Sequence, residues 1–79
     1  MVKALSHPIR LEILETLRDR VASPLEISEE IGQSQRAVSY HASTLVRCGY
    51  LELVDSKARR GGIENFFAIT PRHFGKRRD

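Results

Sequence analysis

The sequence predicts a small α+β fold in which three helices precede a two-stranded β-hairpin. Three observations lead to this prediction: helical apolar spacing behind Pro8, two serine-capped helical segments joined by a short turn, and two β-favouring runs after the third helix. With 79 residues, 41% of them apolar, the chain is long enough for one core and too short for two. We therefore expect one domain over residues 1–79, with 1–7 as an N-terminal segment and 71–79 as a basic tail or a truncated helix.

The first helix is expected over about residues 8–20, because apolar residues recur there at intervals of three and four. Ser6 can cap its N-terminus, and Pro8 fits the first turn, where a missing N–H costs nothing. His7 is then a turn residue. The apolar positions are Ile9, Leu11, Ile13, Leu14, Leu17 and Val21.

The second helix begins at a capping box, Ser23-Pro24-Leu25-Glu26. The serine hydroxyl can accept a first-turn N–H while the glutamate reaches back to the serine N–H. Gly32 ends this helix after about two turns, because glycine readily adopts the left-handed conformation that follows a last turn. Its expected core contacts are Leu25, Ile27 and Ile31.

A third helix is expected over residues 35–48, with Ser34 as its cap and Gly49 as its stop. Together with the second helix and the short turn between them, it forms a helix-turn-helix. At about 100° per residue, one face packs on the core and the opposite face carries neither acidic nor aliphatic residues. The core face holds Val38, Ala42 and Leu45; the outward face holds Arg36, Tyr40, Ser43 and Arg47, flanked by Gln35 and Ser39.

The outward face has the chemistry of a DNA-reading surface. Arginine pairs with phosphate or with guanine O6 and N7, tyrosine adds a hydroxyl on a flat apolar ring, and the small Ser43 permits close approach. Ser34 and Gln35 lie at the helix start, where free N–H groups favour a phosphate. His41, at the edge of the core face, is expected to be partly buried and hydrogen-bonded, and Cys48 to pack as a small apolar residue.

Two β-favouring runs, 51–55 and 63–69, flank the basic stretch 57–62 and predict a hairpin with a long cationic tip. Helix, helix-turn-helix and hairpin in this order describe a winged helix. Lys57, Arg59 and Arg60 are candidate contacts to a DNA backbone or minor groove, with Arg60 favoured for insertion. The alternative is a solvated loop whose charges prevent aggregation at a strand edge.

The charge distribution favours a nucleic-acid partner. Residues 1–30 carry a net charge of −2 and residues 31–79 a net charge of +5, and no carboxylate occurs from Ile31 to Leu51. Such an acid-free window suits a surface that faces phosphates. We therefore expect double-stranded DNA as the partner.

Other function classes find little support in the sequence. The single cysteine cannot form an internal disulfide, and the chain has neither a signal-type apolar stretch nor an apolar run of membrane-spanning length. Phosphate loops, nucleophile elbows and metal-type Cys/His spacings are also missing. We expect a cytoplasmic, nucleoid-associated protein without membrane contact, catalytic activity, cofactor or metal.

Four stretches and one leucine carry a family resemblance: Ala4–Leu14, Gln33–Gln35, Val38–His41, Leu45 and Cys48–Tyr50. In combination they resemble the ArsR-type bacterial winged-helix regulators. The resemblance spans about residues 3–70. It implies a prokaryotic transcriptional regulator, usually a repressor, that binds operator DNA as a homodimer through the helix at 35–48 and the wing at 57–62.

The sequence departs from this family in two respects. Metal-sensing members carry cysteines at the positions of Ser23 and Leu25 and an aspartate at that of Glu26, so metal sensing there is not expected. Family dimers also use long terminal helices, whereas only five residues precede Ser6 and nine follow Thr70. Either the chain is a DNA-binding fragment or it dimerises differently.

A second function remains open, namely a protein-interaction or dimerisation winged helix without a specific DNA site. Such a module is expected to expose an apolar patch beside its phenylalanines, and to lack affinity for duplex DNA at low salt. These phenylalanines are Phe66, Phe67 and Phe74.

Overall fold

The computed structural model describes residues 7–71 and contains three helices followed by one antiparallel hairpin, which confirms the predicted fold class. The predictions for Ser6 and for residues 72–79 lie outside the described residues. No helix within the described range is long and apolar enough to cross a bilayer. The elements are α1 (Pro8–Thr16), α2 (Pro24–Ile31), α3 (Gln35–Arg47), β1 (Leu51–Arg59) and β2 (Gly62–Ile69).

The first helix is shorter than expected, ending at Thr16 rather than near residue 20. The chain turns at Leu17, and Ala22 then forms an antiparallel bridge with Phe67, with backbone N···O distances of 2.9 and 3.2 Å. This bridge requires an extended backbone at Ala22, so the helix must end several residues earlier. Val21, assigned to the helix by its spacing, is therefore exposed.

Local capping chemistry fixes the helix-turn-helix. The Ser23 hydroxyl accepts the Glu26 N–H at 3.2 Å, and the Glu26 carboxylate accepts the Ser23 N–H at 3.0 Å. Gly32 follows α2 with φ of 74°, a left-handed conformation that disfavours any side chain. Ser34 then caps α3 by accepting the Ala37 N–H at 3.1 Å. The predicted capping box, glycine stop and serine cap are confirmed.

The hairpin differs from its prediction in the length of its tip. The strands pair as far as Arg59 opposite Gly62, so the expected long loop over 57–62 is wrong and only Arg60 and Gly61 form the turn. Cross-strand pairs such as Ser56–Asn65, whose side chains hydrogen-bond at 2.8 Å, extend the ladder toward the tip.

The core lies where the three helices meet the base of the hairpin. A bulge at Val54 shifts the register of the strands, and both Phe66 and Phe67 are buried. Leu25, expected in the core, is instead 40% exposed. The fully or almost fully buried apolar side chains are Ile13, Leu17, Ala22, Ile27, Val38, Ala42, Leu45 and Leu51.

Leu45→Ala is expected to lower the free energy of unfolding by about 2–5 kcal/mol, because the removed atoms leave a cavity in the core. The matched control is Leu11→Ala on α1, where the leucine is 50% exposed; its effect should stay within about 0.5 kcal/mol. Urea unfolding followed by circular dichroism measures both. Equal losses in the two variants would contradict the assigned packing.

Candidate nucleic-acid interface

The two faces of α3 differ in the predicted sense. Val38, Ala42 and Leu45 are buried, which confirms the expected core face. The opposite face is open to solvent, and the Tyr40 side chain is 61% exposed. The other exposed members of this face, called here the outward face, are Arg36, Ser43 and Arg47; Gln35 is exposed beside them and Ser39 is half-buried.

Both arginines of the outward face lack a carboxylate partner within the part of the chain that the structure describes. The ion pairs of residues 7–71 lie elsewhere: Arg18 with Glu15, Arg20 with Glu30, and Arg59 with Glu64. Arg47 donates a weak hydrogen bond of 3.3 Å to the Thr44 hydroxyl one turn earlier. The guanidinium charges of Arg36 and Arg47 therefore remain available to an anion.

A cluster of aromatic and basic side chains joins α1 to α3. Arg10, 7% exposed, donates from Nε to His41 Nδ1 at 2.9 Å. Since a guanidinium can only donate, Nδ1 must accept, and the neutral ring carries its proton on Nε2. The His41 ring also lies 5.2 Å from the His7 ring and 5.1 Å, edge-on, from the Tyr40 ring. The expectation of a partly buried, hydrogen-bonded histidine is confirmed.

The neutral state of His41 follows from its surroundings. Burial lowers the pKa of His41 below its ordinary value of 6.5, and the positive charge of Arg10 and the electrostatic interaction with the nearby His7 ring lower it further. A proton on Nδ1 would remove the acceptor of the Arg10 bond and place two cations side by side. The contact from Arg10 of α1 through His41 to the Tyr40 ring therefore depends on the histidine remaining uncharged.

The three cations of the hairpin have different surroundings. Lys57 Nζ lies 5.3 Å from the centroid of the Phe66 ring, and Arg59 Nε donates to Glu64 Oε1 at 2.6 Å. Arg60, in the turn, makes no hydrogen bond or ion pair with any residue of the described range. Of the three, Arg60 is thus the least constrained by the protein itself.

An open groove of about 270 Å³ separates α3 from the hairpin tip. Its walls are mixed: the start of α2 is apolar, α3 offers amide and hydroxyl groups, and the hairpin contributes charged and polar groups. The groove thus lies between the two regions that the sequence assigns to DNA contact. It is lined by Pro24, Leu25, Gln35, Ser39, Arg59 and residues 61–65.

Glu64 carries the carboxylate of this groove and is held by two donors. Its oxygens accept hydrogen bonds from the Ser23 hydroxyl and from Arg59 Nε. These two bonds, together with the charges of Arg59 and Lys57, outweigh the effect of desolvation and lower the pKa of Glu64 below its ordinary value. The carboxylate is therefore ionised at neutral pH.

Cys48 does not pack as a small apolar residue, and that expectation is wrong. It is the C-cap of α3 and its side chain is exposed. Gly49, with φ of 88°, turns the chain away just after it, so the cysteine lies at the surface end of the helix. Within residues 7–71, no three His, Cys, Asp or Glu side chains are grouped as metal ligands.

Sequence reasoning missed two contacts, Arg10 with His41 and Ser23 with Glu64. The first pair is 31 residues apart and the second 41. Nothing in local spacing relates such positions, and the sequence around Arg10 shows only the apolar period of a helix. The one available signal was the isolated Glu64 in an otherwise β-favouring run.

A helix-turn-helix with a solvent-facing cationic helix and a β-hairpin wing defines the class of winged-helix regulators. Residues 7–52, more than half of the chain, match the family described as "Bacterial regulatory protein, arsR family". The chain belongs to this family, which comprises transcriptional regulators and is not a class of enzymes.

Individual relatives agree with this assignment. A probable mercury resistance operon repressor of Streptomyces lividans is 40% identical over 67 residues, which cover 85% of this chain and 50% of the relative. The chain thus spans half the length of that curated relative. Among solved structures, the transcriptional repressor BigR from Xylella fastidiosa has a TM-score of 0.68 at 32% identity, covering 86% of this chain and 62% of BigR. A possible transcriptional regulatory protein from Mycobacterium bovis has a TM-score of 0.72 at 27% identity, and the match covers 90% of this chain and 71% of that structure's chain.

Acidification should reveal the neutral state of His41. Above its ordinary pKa of 6.5, the folded and unfolded chains both hold a neutral imidazole, so its contribution to stability is complete. Below 6.5 the unfolded chain takes up a proton that the folded chain resists, and the free energy of unfolding falls as the pH drops toward the lowered pKa.

The matched variant is His41→Gln, whose amide oxygen can still accept from Arg10 but does not titrate in this range. Urea unfolding at about pH 8 and about pH 5.5 should show a larger loss of stability in the unmodified chain than in the variant. An equal loss in both would contradict a neutral, partly buried histidine.

Proposed function

We propose that the chain binds double-stranded DNA sequence-specifically as a transcriptional repressor. The carrying observation is the outward face of α3, where Arg36 and Arg47 are exposed and unpaired by any described carboxylate. The helix, with its C-cap at residue 48, lies in a major groove, which is about 12 Å wide and admits an α-helix.

The outward face of α3 carries the residues that contact the bases. Arg36 and Arg47 offer forked donors for guanine O6 and N7 or for phosphate, and Tyr40 offers a hydroxyl and an apolar ring edge. Ser43 between them has a small side chain, which lets the helix approach the base edges. These four side chains project from the same exposed face.

Positioning falls to the two edges of the interface. At the start of α3, Ser34 and Gln35 lie beside N–H groups that favour a phosphate, and Ser39 borders the groove toward the hairpin. The wing, residues 57–62, meets the backbone or the adjacent minor groove. Its candidate contacts are Lys57, Arg59 and Arg60.

The regulator acts in the cytoplasm, on the nucleoid, as a homodimer without metal, cofactor or catalytic activity. Repression is supported by the Streptomyces lividans relative and by BigR, both of which are named as repressors. Selection of duplexes from a random pool tests the dimer, because a two-fold symmetric protein selects a two-fold repeat. Selection of a single half-site would contradict it.

The alternative function is a protein-interaction module. Phe66 and Phe67 are themselves buried, Leu53 and Val54 on the neighbouring strand are 53% and 45% exposed, and Phe74 lies outside the described residues. Titration with a fluorescent DNA duplex at low salt decides between the two functions, because only a DNA-binding protein binds the duplex.

The affinity for duplex DNA should fall steeply with salt. Each neutralised phosphate releases counterions, and we expect a log–log slope of about −4 or steeper per bound dimer. Fluorescence anisotropy at a series of salt concentrations measures the slope. A flat dependence would exclude the proposed interface.

Arg36→Ala and Lys57→Ala should weaken binding in different ways. Loss of Arg36 should cost about 1–3 kcal/mol and relax the preference for one base, whereas loss of Lys57 should weaken all sequences alike. Arg18→Ala is the charge-matched control, because Arg18 lies in the turn after α1, in an exposed pair with Glu15.

Competition between the selected duplex and random duplexes separates these effects. The Arg18 variant should bind both almost as the unmodified chain does. Equal loss of base preference in the Arg36 and Lys57 variants would refute the division between reading helix and wing.

A further inference from the structure

Glu64 connects the hairpin to the helix-turn-helix. One carboxylate oxygen accepts from the Ser23 hydroxyl and the other from Arg59 Nε at 2.6 Å. The Glu64 side chain is only 14% exposed, compared with 54% for Arg59. A residue of β2 thus joins its neighbouring strand to a residue 41 positions earlier in the chain.

Ser23 is a rigid anchor for this connection. It is fully buried and is the N-cap of α2. Its oxygen accepts the Glu26 N–H, so its one hydroxyl proton remains for Glu64. The hydroxyl therefore fixes the carboxylate with respect to the start of α2, which a three-residue turn connects to α3.

The position of Glu64 along the hairpin makes this contact mechanically important. At the base of the hairpin, the Ala22 bridge to Phe67 holds β2 against the helical part. Glu64 lies three residues closer to the tip, opposite Lys57. An isolated two-stranded hairpin is only marginally stable in water, so the outer half of the hairpin depends on side-chain anchors of this kind.

The charge of Glu64 is unfavourable for a surface that meets DNA. It lines the groove between α3 and the hairpin tip, where a phosphate would be repelled by a carboxylate. Electrostatics alone would favour a neutral or basic residue at this position. The hydrogen bonds to Ser23 and Arg59 indicate a different role.

We propose that Glu64 is a positioning residue for DNA binding, which holds the wing against the start of α2 and so sets the reach from the outward face of α3 to Arg60. The inference rests on the proposed function. It assigns the Arg59 guanidinium to holding the carboxylate, and it leaves Lys57 and Arg60 as the wing cations that meet DNA, with Arg60 in the turn.

The test compares Glu64→Ala with Glu52→Ala. Glu52 is an exposed carboxylate of β1 that makes no hydrogen bond or ion pair with any residue from 7 to 71, so both variants remove the same charge from the same hairpin. Electrostatics alone predicts tighter duplex binding in both. Positioning predicts that Glu64→Ala binds about five- to tenfold more weakly than Glu52→Ala, in line with couplings within one hydrogen-bond network. Equal affinities would overturn the proposal.

A double-mutant cycle with Arg60→Ala adds a readout that general destabilisation would not change. If Glu64 sets the reach of Arg60, the Arg60 substitution should weaken binding in the Glu52→Ala background and have less than about half that effect, on a logarithmic scale, in the Glu64→Ala background. Circular dichroism establishes that each variant is folded at the temperature of the titration. Additive losses would overturn the proposal.

Amide hydrogen exchange of the DNA-free chain separates this proposal from the proposed function. Glu64→Ala should accelerate exchange at the outer ladder pairs, Lys57–Glu64 and Arg59–Gly62, while Glu52→Ala should not. Unchanged exchange would overturn the role of Glu64 even if the protein binds DNA. Faster exchange in a chain that binds no duplex would instead refute the proposed function, and with it only the DNA part of this inference.

Discussion

The burial of one face of α3 determines the rest of the structure. Val38, Ala42 and Leu45 occupy the centre of the core, so the helix cannot rotate without exposing them. Because side chains of a helix are fixed in angle relative to one another, the same burial directs Arg36 and Arg47 outward. The buried face is covered by Ile13 of α1, by Leu17 just after that helix, and by Ile27 of α2. The cationic surface is thus a consequence of hydrophobic packing on the other side of one helix.

Features of the fold that rest on local chemistry could be predicted from the sequence. The capping box at Ser23, the left-handed Gly32 and the cap at Ser34 each involve residues within four positions of one another, and the face assignment of α3 needs only its helical period. Features that depend on distant partners could not. The end of α1 is set by the bridge from Ala22 to Phe67, and the reach of the strands by pairing across the hairpin.

The candidate site shows the same division. Exposure of the α3 residues follows from periodicity, whereas the surroundings of each wing cation depend on cross-strand neighbours that the sequence does not reveal. The sequence favours Arg60 for insertion but does not predict how the surroundings of the three wing cations differ. Lys57 lies over Phe66, Arg59 pairs with Glu64, and of the three only Arg60 extends from the turn without a described partner. Local composition identifies the charges of a binding surface; tertiary contacts determine which of them are free to bind.

Two polar links connect elements that lie far apart in the chain. Arg10 joins α1 to His41, whose ring contacts Tyr40, and Glu64 joins the wing to the start of α2. In both, one member is almost completely buried, so water competes poorly for the hydrogen bond and the geometry is more sharply defined than in a surface ion pair. The exposed pair of Arg59 with Glu64 alone would be screened by salt. The bond to buried Ser23 is less accessible to that screening, so the Glu64 carboxylate is held in a defined position against the start of α2.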